Sequence, residues 1–217
     1  MSVAKTVVCL HGVWMPGAVM TLVKRRLESE FDYDAHLFSY PSISGTLDEN
    51  AQSLADFVAE KQFDRVHLVG HSLGGVVSLR MLALQPDAPV DRVVCLGSPL
   101  CGSRAASHVN QTDWGNTILG KSLTEGVVDG AANQWARDVT ASREVGVIAG
   151  TVPVGVGQLL TSFEGDNDGT VAVSETQLPG IKDHICMAVN HKGLVISSDV
   201  IDQTAAFLKR GEFLRDS

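Results

Sequence analysis

Short apolar runs alternate along this chain with longer amphipathic stretches, and the alternation is regular enough to predict an element order. Strands are expected at 6–11, 34–39, 65–70 and 91–97, with helices at about 17–30, 47–61 and 73–85 between them. A later apolar strand covers Val145 to Gly150, a final one runs from Asp183 to Val189, and a helix around Val200-Ala205-Phe207-Leu208 closes the chain. The second helix is the best marked: Thr46 with Glu49 three residues later makes a capping box, and Leu47, Ala51, Leu54 and Val58 fall on one face. Strands separated by helices imply an α/β fold with a mostly parallel sheet of about six strands flanked by helices. After Pro99 the pattern breaks. Residues 101–142 are rich in Gly, Ser, Ala and Asn, with Trp114, Ile118, Leu119, Val127, Val128 and Trp135 scattered among them, and read as a cap-like excursion within a single domain spanning 1–217.

Composition narrows the setting. The chain has 217 residues, 44% of them hydrophobic, and 21 glycines, which suits one folded domain rather than a disordered segment. A formal charge of −8 without a basic cluster argues against nucleic acid or an anionic membrane surface as partner. The N-terminal apolar run is short and lacks a basic flank, and nothing approaches the ~20 apolar residues of a membrane span, so a cytoplasmic protein is expected. Of four cysteines, Cys9, Cys95 and Cys186 lie in expected strands, where a thiol serves as a small apolar core residue, and Cys101 lies in a loop. Their spacing fits no zinc pattern, and no metal or organic cofactor is called for.

The chemistry centres on Gly70-His71-Ser72-Leu73-Gly74, a G-x-S-x-G run directly after the apolar Val66-His67-Leu68-Val69 and ahead of a helix. Glycines on both sides of the serine allow a sharp strand-to-helix turn that lifts the Ser72 hydroxyl out of the sheet edge. Near the N-terminus, the strand ending at Leu10 runs into His11-Gly12-Val13-Trp14. Acyl transfer needs two backbone donors aimed at the developing oxyanion: Leu73, just after the nucleophile, and Val13, with Trp14 behind it, are the expected pair. Asp166-Asn167-Asp168-Gly169-Thr170-Val171 forms a polar turn beyond a late strand, where a triad acid belongs; Asp166 and Glu164 compete with Asp168 for that role. His191, in Asn190-His191-Lys192-Gly193 after the final strand, sits at that strand's C-terminal end, whereas His184 lies seven residues earlier, at the opposite edge.

Nucleophile, acid and base therefore occur in the order Ser72, Asp168, His191. On these residues, together with Gly97-Ser98-Pro99-Leu100 after the fourth strand, the chain resembles the α/β-hydrolase superfamily from Val7 to about Arg210. Within it, the chain is similar to small bacterial esterases and lipases related to triacylglycerol lipases. It departs from them at Lys192-Gly193, where such lipases often carry an apolar-acidic pair. The resemblance implies a serine hydrolase cleaving a small-molecule acyl ester through an acyl-enzyme. Trp14, Tyr40, His71 and Leu100 are placed towards the substrate, although Tyr40-Pro41 also reads as a structural turn. A thioesterase or acyltransferase would use the same triad, and a binding protein on an inactive hydrolase scaffold is the reading from another class.

Overall fold

In the computed structural model, which describes residues 5–101, 132–154 and 165–215, six strands form one sheet in the order β2-β1-β3-β4-β5-β6, every neighbouring pair parallel. The strands are β1 (Thr6–Leu10), β2 (Asp34–Phe38), β3 (Val66–His71), β4 (Val90–Leu96), β5 (Glu144–Gly150) and β6 (Asp183–Met187). The helices are α1 (Thr21–Phe31), α2 (Leu47–Glu60), α3 (Leu73–Leu84), α4 (Ala132–Ser142), α5 (Val173–Thr176) and α6 (Ser198–Arg210).

Parallel strands covered on both faces need apolar side chains at successive positions, which is why these segments read as continuous apolar runs rather than alternating ones. Val8, Leu10, Leu68, Val93, Cys95 and Val145 enter one core cluster with residues of α2, α3 and α4. Val7, Cys9, Val69, Val94, Leu96 and Ile148 enter the other, against α1 and α6. All six residues of β3 are buried. The capping box expected for α2 is present: Glu49 N–H donates to Thr46 Oγ1 at 3.1 Å, and Thr46 N–H donates to Glu49 Oε2 at 2.8 Å.

Three expectations shift. The helix expected from 17 opens as a 3-10 turn, Gly17–Met20, before α1; a Cβ at Gly17 would stand 2.2 Å from Ser39 Oγ, so the chain enters tightly. The last strand ends at Met187 instead of Val189, because Val189 N–H turns back to the Met187 carbonyl at 2.8 Å. Cys186, read as a core residue, is exposed, because among the described residues β6 is an edge strand of the sheet. Of the stretch read as a cap-like excursion, residues 132–142 form α4, which packs against α3. Trp135 on that helix lies against the core, with the Arg80 guanidinium 5.3 Å from its ring centroid. Trp114, Ile118, Leu119, Val127 and Val128 lie outside the described residues, as does Glu164.

The register brings Phe38, Leu10, Gly70, Leu96, Ile148 and Gly150 to one edge. The loops carrying Gly12, Ser72, Asp168 and His191 all leave from this carboxyl edge, where open α/β sheets bind their ligands.

Candidate active site

Ser72 stands between the last residue of β3 and the first of α3 with φ 54° and ψ −122°, a conformation rare for a residue with a side chain. The turn exists because its neighbours have no side chains. A Cβ at Gly70 would lie 2.4 Å from the Gly74 carbonyl carbon, and one at Gly74 would lie 2.7 Å from the Leu10 and His11 carbonyl oxygens. Strand, turn and helix can approach that closely only with glycine at both positions. Ser72 N–H donates to the Leu96 carbonyl at 2.8 Å, which fixes the turn to β4. Leu73 opens α3, so its amide belongs to the first turn, which lacks intrahelical acceptors and favours negative charge.

Asp168 is 1% exposed and fully engaged. Its Oδ1 accepts from Thr170 N–H at 2.9 Å and Val171 N–H at 2.8 Å, which sets the carboxylate's rotation, and its Oδ2 accepts from His191 Nδ1 at 2.7 Å. His191 N–H also donates to the Asp168 carbonyl at 2.9 Å, so the loops carrying Asp168 and His191 are joined by backbone and side chain alike. The pair has room because a glycine ends β5 and another directly follows β4. A Cβ at Gly97, where φ is +56°, would lie 3.0 Å from Asp168 Oδ2 and 3.2 Å from His191 Nδ1. One at Gly150 would lie 2.8 Å from Asp168 Cβ. Asp166, the rival acid, is exposed, and its carbonyl accepts from Val173 N–H. His184 is near the start of β6, with Nε2 2.9 Å from Thr176 Oγ1, away from this edge.

His71, immediately before Ser72, is fully buried and connects that turn to His191: Nε2–H donates to the His191 carbonyl at 3.0 Å, and the two rings lie 4.6 Å apart. Burial above all, and then the neighbouring His191, push His71 down from 6.5 to about 3. The ring is therefore neutral, with Nδ1 unprotonated and without a partner among the described residues. The unfolded chain binds this proton below pH 6.5 and the folded one does not, so stability falls as pH drops from 6.5 towards 3. One such group costs up to about 1.4 kcal/mol per pH unit. His11 and His184, also pushed down by burial, act in the same direction. Urea midpoints should therefore fall between about pH 7 and pH 5, and His71→Gln should flatten the decline by close to one proton; equal slopes for both proteins would contradict a buried neutral His71.

The loop after β1 is anchored by Tyr40. Its hydroxyl donates to the His11 carbonyl at 2.7 Å, and its ring stacks on His11 at 4.5 Å. His11 is satisfied as the Nδ1–H tautomer, donating to the Gly12 carbonyl at 2.8 Å while Nε2 accepts from Tyr40 N–H at 3.4 Å. Val13 follows, half-buried against the core, and then Trp14, 47% exposed with φ 56°. Leu100, in contrast, is 2% exposed within the core cluster that also holds Leu73. Tyr40→Phe leaves a buried carbonyl unpaired, which should lower stability by about 1–3 kcal/mol in chemical denaturation; a change near zero would show that the hydroxyl does not hold this loop.

Cys9 and Cys95 are buried thiols pushed up to about 12 by burial, which makes them poor nucleophiles. Among the described residues no group of three His, Cys, Asp or Glu side chains is placed to hold a metal ion, and no helix is long and apolar enough to cross a membrane. Sequence reasoning named His71 without its bond to the His191 carbonyl, and it missed the space supplied by Gly97 and Gly150.

A family model described as the alpha/beta hydrolase family matches residues 7–182. The mature lipase BlEst2 of Bacillus licheniformis superposes with a TM-score of 0.78 at 21% identity, over 96% of this chain and 94% of that one. The product of gene lin2722 of Listeria innocua superposes with a TM-score of 0.66 at 15% identity, over 99% of this chain and 96% of the other. At these identities the likeness is one of fold. A stretch of 69 residues is 39% identical to a Yersinia enterocolitica protein named "Putative carbamate hydrolase RutD"; the match takes in 30% of this chain and 24% of that relative's length.

Proposed function

This chain belongs to the alpha/beta hydrolase family, and from that premise we propose that it is a serine hydrolase cleaving carboxylic esters through an acyl-enzyme on Ser72. The observation that carries the reading is the Asp168–His191 contact of 2.7 Å, held beside the strained Ser72 turn by the bond from His71 to the His191 carbonyl.

With Nδ1–H committed to Asp168, His191 keeps Nε2 as the base. In acylation, Ser72 Oγ bonds to the ester carbonyl carbon and its proton passes to His191 Nε2. The carbonyl oxygen becomes an oxyanion received by the Leu73 and Val13 amides. Collapse breaks the ester C–O bond, and His191 returns the proton to the leaving alcohol. Water then adds by the same route, restoring the Ser72 hydroxyl and releasing the acid. Asp168 orients the imidazole and stabilises its charged form. The neutral His71 ring, 4.6 Å from His191, adds no second positive charge beside the imidazolium.

The test is hydrolysis of p-nitrophenyl esters from acetate to palmitate by the purified chain. Saturable turnover, with a burst of nitrophenol under conditions of slow deacylation, supports an acyl-enzyme esterase. An absence of turnover across the whole series would remove ester hydrolysis from the account.

A further inference from the structure

If position 71 served packing alone, an apolar ring would suit it better than histidine. His71 is the last residue of β3 and is fully buried. A carbonyl oxygen only accepts, so the 3.0 Å contact with the His191 carbonyl fixes the proton on Nε2 and leaves Nδ1 a bare acceptor. No donor among the described residues reaches Nδ1. On that side the ring meets the loop after β1, where a Cβ at Gly12 would stand 3.2 Å from Nδ1 and 3.0 Å from Ser72 Cβ. An unsatisfied buried acceptor is destabilising, and a phenylalanine of similar outline would remove it. What phenylalanine cannot supply is the N–H on the opposite side of the ring.

That N–H joins His191 to the strand that leads into Ser72. Asp168 holds His191 at Nδ1, 2.7 Å away, and at its backbone N–H, 2.9 Å away. Both of these residues, however, stand on loops that follow β5 and β6, whereas Ser72 follows β3, and β4 lies between β3 and β5 in the sheet. The bond from His71 crosses that gap directly, and the 4.6 Å approach of the two rings runs beside it. Asp168 can decide how the imidazole is turned; a tie to β3 decides how far it stands from the serine. A misplacement of about 1 Å between reacting groups can cost on the order of 10² in rate.

We propose that His71 is a positioning residue for acyl transfer, its Nε2–H setting the distance of the His191 imidazole from Ser72 through the His191 carbonyl. The inference rests on the ester-hydrolase reading.

Variants at this position can separate the ring, the N–H and the place of the N–H. Glutamine brings an amide nitrogen to where Nε2 now stands, asparagine brings one only as far as Nδ1, and phenylalanine keeps the ring without a donor. On p-nitrophenyl butyrate, His71→Phe and His71→Asn should each lose about tenfold to 100-fold in kcat with KM within about threefold, while His71→Gln should stay within about threefold of the wild type in both constants. Thermal melts would verify that each variant folds. Should His71→Phe fail to fold, His71→Met, close to glutamine in shape but without a donor, takes its place with the same expected loss. Wild-type kcat in the donor-free variant, an equal loss in glutamine, asparagine and the donor-free variant, or a rise in KM with kcat unchanged would each overturn the positioning role. These outcomes differ from the failure of the underlying reading, in which the wild-type chain turns over none of the esters.

Discussion

Replacing Ser72 with alanine should reduce kcat on the best p-nitrophenyl ester by on the order of 10⁴ to 10⁶ while leaving KM within a few fold. The expectation follows from what one oxygen atom does in this site. Ser72 is 6% exposed and its backbone is fixed by the Gly70 and Gly74 approaches and by its amide bond to Leu96, so the substitution removes the nucleophile without moving the turn. The Leu73 amide and the loop after β1 remain, so some residual rate over water should persist through oxyanion stabilisation. Alanine also keeps φ 54°, a strained value for any side chain, so stability should change little. Steady-state kinetics with a thermal melt checks both parts. A loss of less than about tenfold in kcat would exclude Ser72 as the nucleophile.

Asp168→Asn should cost about 10⁴ in kcat with the fold intact. Asparagine can keep an oxygen facing the Thr170 and Val171 amides, which donate to Oδ1 at 2.9 and 2.8 Å. It then presents an NH₂ group to His191 Nδ1 where the carboxylate oxygen now stands at 2.7 Å. Two donors cannot face one another, so the imidazole proton moves to Nε2, and the ring can no longer accept from Ser72. The backbone bond from His191 N–H to the Asp168 carbonyl does not involve the side chain, so the two loops should stay together. Asp166→Asn, at an exposed position outside this network, is the matched control and should retain most of the activity. Initial rates for the two variants side by side decide the matter: equal effects, or a loss confined to Asp166→Asn, would take the acid role from Asp168.

The parts of this molecule that were legible in the sequence are those set by local pattern. β1 and β3 are written as apolar runs because both faces of a parallel strand are covered, and the elbow is written as glycines because no Cβ fits at Gly70 or Gly74. The α2 start was legible for the same reason, since its capping box closes within four residues. What escaped depends on approaches between distant segments. The bond from His71 to the His191 carbonyl spans 120 residues, and the space that Gly97 and Gly150 leave for the Asp168–His191 pair is visible only once β4 and β5 are side by side. Cys186 was misplaced because alternation alone does not say which strand is an edge. Ile43 and Ser42 have no motif, and they line a cleft with His11 and Trp14 only because the loops after β1 and β2 face one another.

The structure also separates two roles that the sequence joined. Trp14 and Tyr40 were both placed towards the substrate. Trp14 is exposed along the cleft between the loops after β1 and β2, whereas Tyr40 is 7% exposed and commits its hydroxyl to holding the His11 carbonyl, so its ring lines that cleft while its polar end supports the loop. Mutations at the two positions should therefore diverge, with Tyr40 acting on stability and Trp14 leaving it nearly unchanged.

If Ser72 forms the acyl-enzyme, covalent trapping should find it there. The protein would be reacted with an alkyl fluorophosphonate, in which loss of fluoride leaves a phosphorus–oxygen bond to the nucleophile, and the modified peptide identified by mass spectrometry. The expected result is one adduct per chain, on Ser72, with turnover lost in proportion and the label absent from Ser72→Ala. A stoichiometric adduct on another residue, or full ester turnover by a chain labelled at Ser72, would contradict it.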